Sequence, residues 1–168
     1  MVALLCVAGA AFWIRYLVRH AKKGNPVDLQ IAAFGNPQVV WQEIEADFVG
    51  QDFRTKRLYV GARWICYSRK TDIIVRRIDA LIWAYIEKVK HKWNFIPVGT
   101  TQQLILWERT GRGAALILNK KRAKEALPSL KTVAPWLLIG YTDVLKESWN
   151  NDREDLIAYV DRRRAGNA

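Results

Sequence analysis

The sequence predicts an α+β protein led by a membrane helix, and three observations carry that expectation. An apolar run opens the chain, "MVALLCVAGAAFWI" from Met1 to Ile14, and resumes through Tyr16, Leu17 and Val18 with only Arg15 interrupting. From Lys56 the hydrophobic pattern changes to a period of two, the spacing of strands with one buried face. Segments with cap residues and a helical apolar period lie on both sides of that stretch. The chain has 168 residues, 51% of them hydrophobic and eight of them Trp, enough for one domain with a substantial core.

The opening run of eighteen residues, if helical, rises about 27 Å, just short of the roughly 30 Å hydrocarbon core, so it can barely span. Arg15, Arg19, Lys22 and Lys23 follow the apolar run and no cation precedes it, the reverse of a secretory signal's basic start. By the positive-inside rule the expected location is the cell membrane, single-pass, with the bulk of the chain cytoplasmic. A partner-packed helix of a soluble protein is the competing reading. The expected organisation is an anchor helix over 1–23, a linker over 24–35 around "GNPVD", and an α+β domain over 36–168.

"GNPQVVWQEIEADFVG" reads as a helix: Asn36 is an N-cap, Pro37 the first helical residue, Gly50 the stop, and Val40, Ile44 and Phe48 one apolar face. Strands are expected near 57–60, 63–68 and 72–77, placing Trp64 and Cys66 toward a core. The segment 78–92 alternates and is rich in β-branched and aromatic residues, which predicts a long strand with Trp83 inward, a helix being the competing reading. Gln103–Glu108 and Ala114–Asn119 flank "RTGRG" as a hairpin. Then come a helix over "KKRAKEALPSLKTVA" containing Pro128, a short buried strand in "PWLLIG", and two helices. In the last, Asn151 and Glu154 have capping-box-like spacing, and Arg162, Arg163 and Arg164 complement the negative C-terminal end.

The formal net charge is +11, but it is uneven. Residues 27–53 carry five acids and no Lys or Arg, whereas residues 54–92 carry eleven cations against three acids. An acidic entry beside a basic middle can be self-complementary, so the total is a modest clue to a polyanion partner. Cys6 and Cys66 lack metal-ligand partners at a recognised spacing. No "CxxC", "HExxH", "GxSxG" or "GxxxxGK[ST]" occurs, and His20 and His91 are not brought together by spacing. "TGRGA" lies between strands with no helix after it, so it reads as a hairpin turn and not as a phosphate loop. Glu43, Glu45 and Asp47 read as a solvated helical face. The expectation is a non-enzymatic protein without a cofactor or metal.

What remains is the interleaving of bases and aromatics in "RWICYSRK" and "KVKHKWNF". Lys88, Lys90 and Lys92 alternate along the expected strand and so share a face, and with Arg76 and Arg77 they are the candidate contacts to an anionic surface. A wet strand face guarded by lysines against edge pairing explains the same pattern. Stacking of single-stranded nucleic acid beside phosphate-binding cations is a third, less favoured reading.

"RWICYS", "IDALIWAYIEKVKHKWNFIPVGTTQQLILW" and "APWLLIGYTDVLKESW" together resemble an uncharacterised bacterial family with one N-terminal membrane helix and a small cytoplasmic domain similar to pleckstrin-homology folds. The resemblance runs from Phe34 to Trp149 and is strongest over Asp79–Tyr85, Asn94–Pro97 and Gly140–Tyr141. It implies a strongly bent antiparallel sheet closed by helices and carries no assigned activity. The resulting expectation is a membrane-tethered cytoplasmic binding or scaffolding module that meets anionic lipid headgroups or a protein partner. The alternative is a basic soluble nucleic-acid-binding domain.

Overall fold

A computed structural model of the chain describes residues 26–49, 58–68 and 73–166. The first helix, α1 (Pro26–Ile31), leads through a 3-10 turn (Ala32–Phe34) into α2 (Pro37–Asp47). Asn36 caps α2, its side-chain oxygen accepting the Gln38 N–H at 2.9 Å, and Val40, Ile44 and Phe48 are buried as their spacing predicts. Gly50, the expected stop, lies outside the described residues. Residues 26–34, read from the sequence as linker, are helical, and Val27 and Ile31 are buried against Trp64 and Cys66.

Strands β1 (Leu58–Val60), β2 (Trp64–Ser68) and β3 (Ile73–Arg77) form an antiparallel sheet within a residue of the expected boundaries. Both of its faces are covered, which is why four consecutive residues of β2 are buried. Trp64 and Cys66 join α1 and α2 in one cluster, while Ile65 and Tyr67 enter the central core. A 3-10 turn at Ile78–Ala80 then re-aims the chain into a second sheet. This sheet comprises β4 (Leu81–Trp93), β5 (Ile96–Glu108), β6 (Gly113–Leu118) and β7 (Leu138–Ile139) in the order β6-β5-β4-β7. The strand reading of 78–92 therefore holds over its helical rival from Leu81 onward, while its first three residues, Ile78–Ala80, are the 3-10 turn.

The central core lies between the sheets. Leu58, Ile65 and Tyr67 from the first meet Ala84, Leu104, Leu106 and Leu116 from the second, and α3 (Lys120–Val133) closes it with Ala123, Ala126 and Leu130. Pro128 sits within α3 on its exposed side. The outer face of the second sheet carries Ile82, Trp83, Tyr85 and Ile105 and is covered by Trp149 of α4 (Asp143–Asn151) and Val160 of α5 (Arg153–Arg164). Trp64 and Trp83 are fully buried, and Trp83 Nε1 donates to Gly140 O at 2.6 Å. The capping expectation for the last helix is corrected. Asn151 ends α4, and Asp152 is the N-cap of α5, with no side-chain hydrogen bond.

Two departures correct the expected pleckstrin-homology-like arrangement of one bent antiparallel sheet behind a membrane helix. There are two sheets, because no pairing joins β3 to β4 across the 78–80 turn, and β7 returns parallel to β4 after α3. Among the described residues no helix is long and apolar enough to cross a membrane. The expected anchor over 1–23, with Arg15, Arg19, Lys22 and Lys23, lies outside the described residues.

Candidate functional site

The most distinctive surface follows from unequal strand lengths. β4 and β5 pair antiparallel along thirteen residues each, but β6 reaches only to Gln102 and β7 pairs only with Trp83 and Ala84. Beyond the Lys88–Gln102 pair the hairpin therefore has no third strand, and it leaves the body as a two-stranded finger. From Lys88 to Trp93 this is about 17 Å at the usual strand rise. The core ends where the finger begins: Ile86 opposes Leu104, and Glu87, Lys88 and every described side chain from Lys90 to Thr100 is exposed.

Period two sorts the side chains. Lys88, Lys90 and Lys92 continue the face of Ala84 and Ile86, opposite Gln102, Thr100 and Pro97, so no acid stands across from any of them. Among the described residues none of the three has an ion-pair partner. Glu87, Val89, His91 and Trp93 occupy the other face, where His91 Nε2 and Thr101 Oγ1 are 2.8 Å apart. Val98 is left unpaired between the Lys92–Pro97 and His91–Gly99 pairs, a bulge that increases the local twist.

α3 extends the cationic face. It packs on the same side of the sheet as Ala84 and Ile86, and its N-cap Asn119 follows directly on Leu118, which pairs with Gln102 at the root of the finger. Lys120 and Lys121 are exposed there, and the first turn holds no acid. Cations at a helix N-terminus oppose the macrodipole, at about 0.3–1 kcal/mol each, so folding does not account for them.

The tip is apolar. Trp93 is 72% exposed, Phe95 95%, Ile96 65% and Val98 62%, four large hydrophobic residues within six positions. The turn residues Asn94 and Phe95 have φ of 44° and 66°, the left-handed pair of a type I′ turn. Asn tolerates that region and Gly is the favoured second residue. A bulky residue there carries strain of about 1–2 kcal/mol. Phe95 touches no core, so its ring is not retained for packing.

The other candidates are drawn elsewhere. Arg76 Nε pairs with the buried Glu108 Oε1 at 2.8 Å, and its Nη1 donates to Gln30 Oε1 and Val75 O. Arg77 is bound through Nε and Nη2 to Asp79. Both arginines, on β3, thus serve ion pairs within the molecule, Arg76 across to the second sheet and Arg77 to the 78–80 turn, whereas Lys88, Lys90 and Lys92 stand together on the finger. Of the three acids read as a solvated face, Glu43 and Glu45 are exposed, but Asp47 accepts the backbone N–H groups of Ala62, Arg63 and Trp64 at 2.9–3.0 Å. The "RTGRG" segment is a hairpin turn with Gly111 at φ 80°. Among the described residues no group of three or more His, Cys, Asp or Glu could hold a metal ion. Sequence reasoning missed the apolar tip, because the fold of the chain back on itself at Asn94–Phe95 lacks the glycine that usually marks it.

No curated protein and no solved structure matches the chain. One family model does match, over residues 24–149, a span that begins just before α1, contains both sheets and the whole finger, and ends within α4. The chain therefore belongs to the family described as "Domain of unknown function (DUF6709)".

Proposed function

We propose that this protein is a non-enzymatic binding module that works at an anionic membrane surface on the cytoplasmic side. The observation that carries the reading is the unopposed row Lys88, Lys90 and Lys92 on a finger that projects from the body. A cation near an anionic leaflet contributes about 1 kcal/mol, and the cytoplasmic leaflet is the anionic one. Lysines also guard open edges against pairing, and both edges of the finger are open, but the cations continue onto the first turn of α3, where edge protection has no meaning. In sequence, the apolar run with Arg15, Arg19, Lys22 and Lys23 behind it supports the same location.

The test is sedimentation of the full chain with vesicles of neutral lipid, with and without anionic lipid, at two salt concentrations. The wild type is compared with Lys88→Ala/Lys90→Ala/Lys92→Ala, which shares its N-terminal segment. The triple variant should bind anionic vesicles about 10- to 100-fold more weakly, and the difference should shrink at high salt. Equal binding of both proteins to anionic vesicles, or tighter salt-sensitive binding of single-stranded RNA that the triple variant loses, would overturn the reading.

A further inference from the structure

We infer that the hairpin tip is a wedge that enters the bilayer interface, with Trp93, Phe95 and Ile96 below the phosphates, Val98 at their level and the lysines at and above them. The inference rests on the proposed function, and it adds a buried apolar contact to a surface electrostatic one.

The order of residues along the finger is the argument. From the tip toward the body come Phe95, then Trp93 and Ile96, then Lys92 with Val98 just behind it, then Lys90 and Lys88, and Lys120 and Lys121 at the root. A leaflet met from water presents the reverse sequence, a negative surface and then hydrocarbon. The headgroup layer is about 5–7 Å deep, so with the tip just past it Lys92 and Lys90 lie at phosphate level and Lys88 behind them. Interfacial insertion of about 5–10 Å is also what a two-stranded element tolerates, since deeper burial would strip water from its open edges. Trp at the polar end of the apolar cap matches the headgroup preference of indole.

Other occupants fit less well. Stacking of nucleic-acid bases would use Trp93 and Phe95 but has no role for Ile96 and Val98, which have no π-face. A protein partner would meet a rim of lysines, a residue depleted at protein interfaces. A second copy docked tip to tip would bring the two lysine rows together.

Phe95 offers a test in which stability and binding move in opposite directions. Phe95→Gly relieves the left-handed turn position, so its thermal midpoint should equal or exceed that of the wild type. Its affinity for anionic vesicles should nevertheless fall about 10- to 100-fold, and the loss should persist at high salt, unlike that of the lysine variant. Insertion is read directly by quenching with bromine-labelled lipid tails: the wild type minus Trp93→Phe difference isolates Trp93 from the other seven tryptophans. Trp93 quenched on anionic vesicles, with a stable Phe95→Gly that binds weakly, is the expected result. Lysine-dependent binding with Trp93 unquenched and Phe95→Gly unimpaired would overturn the wedge and leave the proposed function standing. Absence of wild-type binding to anionic vesicles would remove both.

Discussion

A β-carbon on Gly61 would stand 2.2 Å from Asp47 Oδ2, so this glycine is required by the carboxylate that holds the β1–β2 turn. Asp47 reads in sequence as one acid among three on a wet helix face. Only when the turn folds against the end of α2 do three N–H groups converge on it, and nothing in residue spacing announces that. Cys66 was more legible, because alternation around Trp64 places it inward. Burial pushes its thiol from 9.0 up to about 11. The neutral thiol is favoured in the fold, so its stabilising contribution is complete below pH 9 and is lost as pH rises from 9 to about 11. The loss amounts to about 2–3 kcal/mol. Urea unfolding of the wild type should weaken across that window by this much more than unfolding of Cys66→Ala; parallel curves would show that the thiol is not desolvated.

At the scale of elements, hydrophobic period and cap residues located nearly every helix and strand. Asn36 and Pro37 start α2, and alternation from Lys56 marks β1 to β3. The turn between β4 and β5 escaped because Asn94–Phe95 reaches two positive φ values without glycine, and the finger went unseen with it. α3 was legible as a helix from Lys120 onward, but residue spacing assigned it no role. Its first turn carries Lys120, Lys121 and Arg122 with no acid, so Lys120→Glu/Lys121→Glu should raise stability by about 0.3–1 kcal/mol per site through the dipole. If the root of the finger faces an anionic leaflet, the same variant should bind vesicles more weakly. Calorimetry and sedimentation on one preparation check both signs, and a variant that is stabilised but binds unchanged would detach α3 from the surface.

At the scale of the molecule, the two sheets are joined by an ion pair that crosses between them. Arg76 on β3 reaches Glu108 at the end of β5, and Arg109 and Asp161 tie that same end to α5, with Asp161 held below the usual carboxylate range by the Arg109 hydrogen bond. Arg76→Ala leaves Glu108 buried without its cation and should cost about 1.5–3 kcal/mol. Pairing it with Glu108→Leu should recover much of the loss, because the stranded charge is then gone. Thermal denaturation of the two variants decides this, and an Arg76→Ala protein as stable as the wild type would mean the pair does not hold the sheets. The sequence by itself determined the α+β class, the positions of the strands apart from the first half of β5 (read as Gln103–Glu108, observed as Ile96–Glu108), the inward Trp64 and Trp83 and the alternation that puts Lys88, Lys90 and Lys92 on one face, because these follow from local periods of two and of three to four residues. Tertiary structure alone decided that the strands divide into two sheets and that Arg76 and Arg77 turn to internal acids. It alone also carried four apolar side chains to the end of a free finger. Each of these depends on which distant segment a residue meets or fails to meet, and local pattern carries no record of that.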